Sequence, residues 1–470
     1  MRIPLIILSV FVLNICQGQT SKKWTLQECI EYAYQNNTSV VFNQLQGEII
    51  DNNLTQAQLS RLPSLNGSGN HNYNIGRTID PFTNSFNNTT IQSNSFSLSS
   101  GVLLYSGNQI NNTIKQTNIA KEANDQGVEV AKNQIALQVA STYLLIIQSE
   151  ENLKVAESQV ELTENQLEVA NKLYKSGAQN QGTVLNIEAQ LANDKVQVVN
   201  MQNQIQMAYN SMINLLQVPL DEPFELDLIK VDYVPDMPNE SVADIYETAL
   251  LALPEIKQAE LGIKQSEIGE KIATASLLPR LSAYANINTV YSESYAEPTL
   301  LGVGTTPIGV TETTNEIVLG PDFQYAFNTK SFNSQLNDNL GESVGVSLSV
   351  PIFNGYRNKT SVENAKLNTQ ISELNLTNSK NQLRNDITTA HTNLNAARSR
   401  YQASLLSVEA QQKNYEYNQK RFDAGLLNSY DLLNAKNLWF QAQVQQTNSK
   451  YEYIFRNLII EFYKGNELKL

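Results

Sequence analysis

The chain has 470 residues, of which only 17% are charged, and a formal charge of -13. With no basic cluster, a nucleic-acid partner is not expected. Beyond the N-terminus no stretch reaches about 18 consecutive apolar residues, so no internal transmembrane helix is expected either.

The opening MRIPLIILSVFVLNICQG places Arg2 ahead of an apolar run, Ile3 to Ile15, that is too short to span a bilayer. It reads as a signal peptide over residues 1–18, cleaved after Gly18. A lipoprotein signal using Cys16 is the rival, with Leu13 well placed for it and bulky Ile15 against it. Once Cys16 leaves, Cys29 has no intrachain partner for a disulfide.

From Thr25 a helical pattern runs for about 40 residues to Leu62-Pro63, where proline ends it. Two strand-like segments follow, PSLNGSGNHNYNIGR and SFSLSSGVLLY, separated by a polar loop. In the second, Phe96, Leu98, Val102 and Leu104 alternate with Ser95, Ser97, Ser99 and Gly101, the period of a strand with one apolar face. After Gly107 comes a helix that reaches Gly177, roughly 105 Å of chain. Along it Leu153, Val160, Leu167 and Tyr174 recur every seven residues, with Ala156, Thr163, Ala170 and Gly177 between them. Val155, Leu162 and Val169 form a second seam. A period of seven predicts helices wound around one another, and two seams predict neighbours on two sides. The helix stops at Ser176-Gly177-Ala178, and a return helix carries Leu185, Ala192 and Val199. A Pro-rich, acidic stretch then reads as a linker over 219–240 with one short extra element.

The rest of the chain repeats this plan. Thr25 falls on Ser241, Ala33 on Ala249 and Leu62-Pro63 on Leu278-Pro279, all at an offset of 216. Gly107 falls on Gly355 and Gly177 on Gly425, at an offset of 248. The organisation is therefore a first repeat over 19–218, the linker, and a second repeat over 241–470. The 32 extra residues of the second copy lie between its two strand segments and are expected in an exposed loop. Those segments are RLSAYANINTVY and SVGVSLSVPI; in the latter Val344, Val346, Leu348 and Val350 share one face. The second long helix carries Tyr401, Val408, Tyr415 and Phe422, with Ala403, Ala410 and Tyr417 as its second seam. It turns at Ala424-Gly425-Leu426 into a return helix with Leu433, Phe440 and Thr447.

Each strand segment has the length of a tilted membrane strand. Tyr73, Tyr105, Tyr284, Tyr291 and Phe353 lie toward the ends, as interfacial aromatics do. Phe96, Leu98, Val102, Leu104, Val344, Val346, Leu348 and Val350 are then lipid-facing. Four strands cannot close a barrel, and open edges do not survive in hydrocarbon, so several copies must pool their strands. The heptads alone also fit an exported coiled-coil structural protein or adhesin without a channel; the alternating strands speak against it. His71 and His391 are isolated, and no phosphate loop, serine elbow or Cys–His pairing occurs. No enzyme, metal site or cofactor is expected.

WTLQECIEYAYQNN, Leu62-Pro63, Leu278-Pro279, VPIFNGYRN and RFDAGLLNSYDLLNAK, in this duplicated order, resemble the outer membrane efflux protein family of TolC-like channels. The resemblance covers nearly the whole chain after the signal peptide. It implies a mixed α and transmembrane β fold, with long coiled-coil helices and four strands per protomer. A homotrimer would share a twelve-stranded barrel in the outer membrane and an α-helical tunnel across the periplasm, with the linker in an equatorial region. The implied function is a passive exit duct of a tripartite efflux pump or type I secretion system in a Gram-negative bacterium. Its partners would be a periplasmic adaptor (membrane fusion) protein, an inner-membrane pump and outer-membrane lipid. Ser176, Gly177, Ala178, Ala424, Gly425 and Leu426 would form the adaptor-docking tips. The family tip carries Asp six residues after its glycine: Asp431 keeps it, Thr183 replaces it, and Asn434 stands where a second acid can follow. Three Asp431 carboxylates around a threefold axis would favour cations in a tip gate. As an acid in the first turn of its helix, Asp431 fits a capping role equally.

Overall fold

We describe the chain from a computed structural model, over residues 23–79, 84–88, 90–219, 221–229, 240–466 and 468. The expected signal peptide, Cys16 included, and residues 220 and 230–239 of the expected linker lie outside the described residues. The first copy runs β1 (Lys23–Trp24), α1 (Leu26–Asn36), α2 (Thr38–Leu59), β2 (Ser64–Asn74), β3 (Arg77–Ile79), β4 (Phe86–Asn88), β5 (Ile91–Tyr105), α3 (Gln109–Lys175) and α4 (Gln181–Leu216). After β6 (Glu225–Leu226), the second runs α5 (Val242–Ala252), α6 (Pro254–Ala275), β7 (Arg280–Ser292), β8 (Ala296–Val310), β9 (Ile317–Thr329), α7 (Phe332–Asp338), β10 (Gly341–Ser349), α8 (Arg357–Asp423) and α9 (Ser429–Tyr463).

The duplication extends to the caps. Thr25 and Glu28 form a capping box at the start of α1, and Ser241 and Asp244 form the same box 216 positions later at α5. The paired helices match in length: α3 and α8 have 67 residues each, and α2 and α6 have 22 each. The sequence predicts one helix before each Leu-Pro, but the structure makes two. Asn37 and Leu253 are extended where the break falls. Proline is tolerated only in the first turn of a helix, so Pro254 restarts rather than continues it. In the first copy Asn37 fixes the break with its side chain, accepting from Ser39 N–H (2.9 Å) and donating to the Leu215 carbonyl (2.9 Å).

Two compact units cut across the copies. Among the described residues, the helical unit holds 23–50, 120–263 and 371–468. Its largest core packs Cys29, Ile30 and Ala33 of α1 against Val139, Tyr143 and Ile146 of α3, Met212 and Leu216 of α4, and Tyr451 of α9. A second core joins Ile245 and Ala249 to Ile387 and Leu394 of α8 and Ile460 of α9. The short extra element of the linker is β6, which pairs parallel with β1. Burial pushes the Cys29 thiol up to about 12, so at pH 8 it stays protonated. Iodoacetamide at pH 8 is therefore expected to leave Cys29 unmodified in the native protein and to alkylate it after denaturation, as read by peptide mass mapping. Alkylation of the native protein at the denatured rate would contradict this core.

The strand unit holds Asp51–Ile119 and Lys264–Gln370. Its sheet has the order β10-β7-β5-β2, with every neighbour antiparallel. Among the described residues β10 and β2 are both edge strands. Helices adjoin one end of this sheet, before β2 and β7 and after β5 and β10; the opposite end carries the short β3–β4 hairpin and the long β8–β9 hairpin. The 32-residue insertion, expected as a loop, is thus an ordered β-ribbon followed by α7. Its strands escaped the sequence analysis because two register shifts, at Leu300/Gly302 and Pro307/Gly309, break the period of two.

Candidate functional sites: helix tips, a buried charge cluster and an apolar sheet face

Both tips close in the same way. Gly177 and Gly425 have φ of 77° and 72°, the left-handed region that a side chain strains. Ala178 N–H bonds the Leu173 carbonyl and Leu426 N–H bonds that of Arg421. Gly177 and Gly425 N–H bond the carbonyls of Tyr174 and Phe422, completing a Schellman closure at each. Asn180 and Asn428 then cap the return helices, accepting from the N–H of Thr183 and Asp431 at 2.9 Å each. Ser176, Gly177, Ala178, Ala424, Gly425 and Leu426 are exposed. Asp431 and Asn434 are exposed too, and the Asp431 carboxylate accepts from the Asn428 amide at 3.0 Å. Thr183 is buried, and its hydroxyl donates to Gln179 Oε1 at 3.1 Å. The equivalent positions of the two tips therefore differ in chemistry and in exposure.

The flanks of the tips pack together. Leu433 joins Ala170, Val184 and Ile187, and Phe422 and Leu432 join Tyr415, Leu162 and Trp439. Next to them lies a cluster that the sequence analysis missed. Lys436 of α9 is 0% exposed, and its ammonium donates to Asp194 Oδ2 of α4 at 2.6 Å and to Thr163 Oγ1 of α3. Thr163 in turn lies 2.5 Å from Asp194 Oδ2 and 2.8 Å from the Gln159 carbonyl. Gln190 Nε2 donates to Asp194 Oδ1 (2.7 Å) and to Asn437 Oδ1 (3.1 Å). Burial lowers the Lys436 pKa, and the Asp194 carboxylate partly restores it. The ion pair joins α4 to α9, and Thr163 adds α3, so the cluster ties together three helices from both copies. Beside it, Gln166 donates to Tyr415 OH (2.9 Å) and Gln419 (3.1 Å), and the Tyr415 ring stacks on Trp439 at 5.2 Å.

The heptads are real, but the buried seam of α3 is its small and polar one. Asn152, Ala156, Gln159, Thr163, Gln166 and Ala170 are buried, at alternating steps of four and three. Leu153, Val160 and Leu167 are half-buried, and Tyr174 is exposed. Small side chains let backbones approach, which favours this stripe inside the protomer. On α8, Tyr415 and Phe422 are buried, whereas Ala403, Ala410 and Tyr417 are exposed. Leu185, Ala192 and Val199 of α4 are exposed as well.

In the strand unit the register collects the apolar positions onto one face. Val344 lies opposite Ala285, Val346 opposite Ala283, and Ala283 opposite Val102. Leu98 lies opposite Ile287, and Phe96 opposite Thr289. The other face is Ser- and Asn-rich, with Ser68 and Ser97 hydroxyls 2.7 Å apart. The apolar face is uncovered in the protomer, with Val344 87% exposed and Leu348 65% exposed. Three expected positions differ in detail. A register shift between Leu103 and Tyr105 makes Leu104 the unpaired residue and sets Tyr105, not Leu104, opposite Leu281. Val350 lies one residue past the end of β10. Tyr284 is mid-strand on the polar face, not at an end: its ring lies across Gly345, where a Cβ would come within 2.5 Å of it. Among the described residues no helix is long and apolar enough to cross a membrane.

The model of a family described as outer membrane efflux protein matches residues 29–217 and 245–458. The chain is 19% identical over 341 residues to the alkaline protease secretion protein AprF of Pseudomonas aeruginosa; the match covers 73% of this chain and spans 63% of the relative. Among solved structures, the Campylobacter jejuni CmeC outer membrane channel superposes with a TM-score of 0.69 at 18% identity, over 95% of this chain and 87% of that one. The open state of the Neisseria gonorrhoeae MtrE outer membrane channel gives 0.69 at 18% identity, over 94% and 89%.

Proposed function

Because the chain belongs to the outer membrane efflux protein family, we propose that it forms the outer-membrane exit duct of a tripartite efflux pump or type I secretion system. Three copies each donate four strands to one barrel and their long helices to a periplasmic tunnel. The observation that carries this reading is the sheet: two unpaired edges and an uncovered apolar face, beside a polar face. In hydrocarbon every strand edge must find a partner, and the β2 of a neighbouring copy is the natural partner for β10. The exposed seams of α4 and α8 supply faces for the neighbouring copies along the tunnel. The processed chain begins after a signal peptide of residues 1–18, and two repeats, 19–218 and 241–470, flank the 219–240 linker.

The duct is passive; energy and substrate choice come from an inner-membrane pump, coupled through a periplasmic adaptor that docks on the two glycine tips. Detergent-extracted protein is expected to have the mass of a trimer and to conduct ions in a planar bilayer. A monodisperse single subunit, purified without detergent, would overturn the reading. The exposed Asp431 carboxylate is one charge available to a tip gate. Asp431→Asn is expected to lower the cation-to-anion permeability ratio of the channel. An unchanged ratio would leave Asp431 with its helix-capping role alone.

A further inference from the structure

The β8–β9 hairpin has no counterpart of its length in the first copy, where β3 and β4 have three residues each. Its two bulges have a consequence for its faces. They bring Leu300 opposite Tyr325, Val303 opposite Phe323, Pro307 opposite Leu319 and Val310 opposite Ile317. Without those shifts Leu300, Val303 and Val310 could not all share one side. With them, every position on that side is apolar or threonine and none is charged, and Phe323 and Tyr325 stack with centroids 6.5 Å apart. Glu297, Asp322, Gln324 and Asn328 fall on the reverse side. The apolar side is uncovered: Phe327 is 69% exposed and Phe323 51%.

The base of the ribbon is built to hold it. Gln335 of α7 is fully buried; it accepts from Ser292 N–H (3.0 Å) and donates to the carbonyls of Ser292 (3.1 Å) and Lys330 (2.9 Å). Lys330 pairs with Asp338 and Glu297, and Asn339 donates to the Val290 carbonyl at 2.9 Å. Phe332 packs its ring against Tyr291 and Phe96. A surface loop needs no such anchorage. An isolated two-stranded ribbon is at best marginal in water, so this one needs something on its apolar side.

We propose that the β8–β9 hairpins of the copies in one assembly pack their apolar faces together, at the end of the barrel away from the helices. The inference rests on the shared-barrel reading above. Two observations favour a second copy over an unrelated partner. The hairpin returns through α7 into β10, whose free edge is where the next copy joins, so the ribbon stands at the subunit boundary. Identical faces converging on one axis bring identical groups together, and charges of one sign would repel there. This face has none, although both ends of the turn between β8 and β9 are acidic, with Glu312 and Glu316. The assembled ribbons would narrow the outer mouth of the duct.

The test is disulfide cross-linking of the full chain, purified in detergent, in a Cys29→Ser background. Phe323→Cys and Phe327→Cys lie on the apolar face; Asp322→Cys and Gln324→Cys lie on the reverse. Copper-phenanthroline oxidation is expected to link subunits into covalent dimers at either of the first two positions and at neither of the others. A trimer by native mass with no link from the apolar face, or with equal links from both faces, overturns the proposal and leaves the barrel reading standing. A protein that is not a trimer by native mass overturns both.

Discussion

Lys436→Ala is expected to be among the most damaging single substitutions in the helical unit, at about 3–5 kcal/mol. The lysine is completely buried, and its removal leaves the Asp194 carboxylate in the interior without its cation. Asp194→Ala should cost a similar amount by stranding the ammonium instead. The double variant Asp194→Leu/Lys436→Met should recover most of the loss, because neither charge then needs solvation. Thr163 is not orphaned in that variant, since its hydroxyl already reaches the Gln159 carbonyl at 2.8 Å. Gln190 likewise keeps Asn437. The control is Lys413→Ala, which breaks a pair with Glu409 of the same 2.6 Å length on an exposed helix face. Such a pair is screened by water and contributes little. Thermal unfolding followed by circular dichroism should therefore show a large drop for either buried single variant, recovery in the double, and almost none for Lys413→Ala. Equal drops for Lys436→Ala and Lys413→Ala would mean that the cluster does not hold the three helices together.

The cluster also marks how far the sequence could be read. Heptads located the seams, the offsets of 216 and 248 located the duplication, and the tip glycines stand where the stop and restart pattern put them. Lys436 was within reach. It stands three residues after Leu433 and four before Phe440, so it occupies the alternate place in their own seam, where a lone lysine specifies register. Asp194 follows Ile187 by seven, which gives the same hint on α4. No local signal pairs the two, because they are 242 residues apart and meet only when the hairpins dock. Which of two seams is buried was equally beyond reach, since it depends on how closely backbones approach. The apolar strands read correctly wherever alternation was unbroken, as from Val344 to Leu348, and failed where a bulge changed its phase, as at Leu104 and throughout β8.

A single arginine on the sheet should separate its two faces. Val346 sits near the middle of β10, opposite Ala283, on the apolar side; the next residue, Ser347, lies opposite Ser282 on the polar side. An arginine facing lipid at mid-depth costs about 2–4 kcal/mol in a membrane barrel, whereas one facing a watery lumen keeps its solvation. Every copy carries the substitution, so the penalty recurs in each subunit of an assembly. Val346→Arg is therefore expected to abolish most of the detergent-extractable trimer in the outer-membrane fraction. Ser347→Arg should assemble normally and shift ion selectivity toward anions, because its charge joins the conduction path. The two positions share a strand and lie within one residue of each other in depth, on opposite sides of the sheet. Equal assembly of the two variants would mean that this face does not meet lipid, and a reversed result would turn the barrel inside out. The heptads, tips and buried ion pair would survive either outcome, because none of them depends on which way the sheet curls.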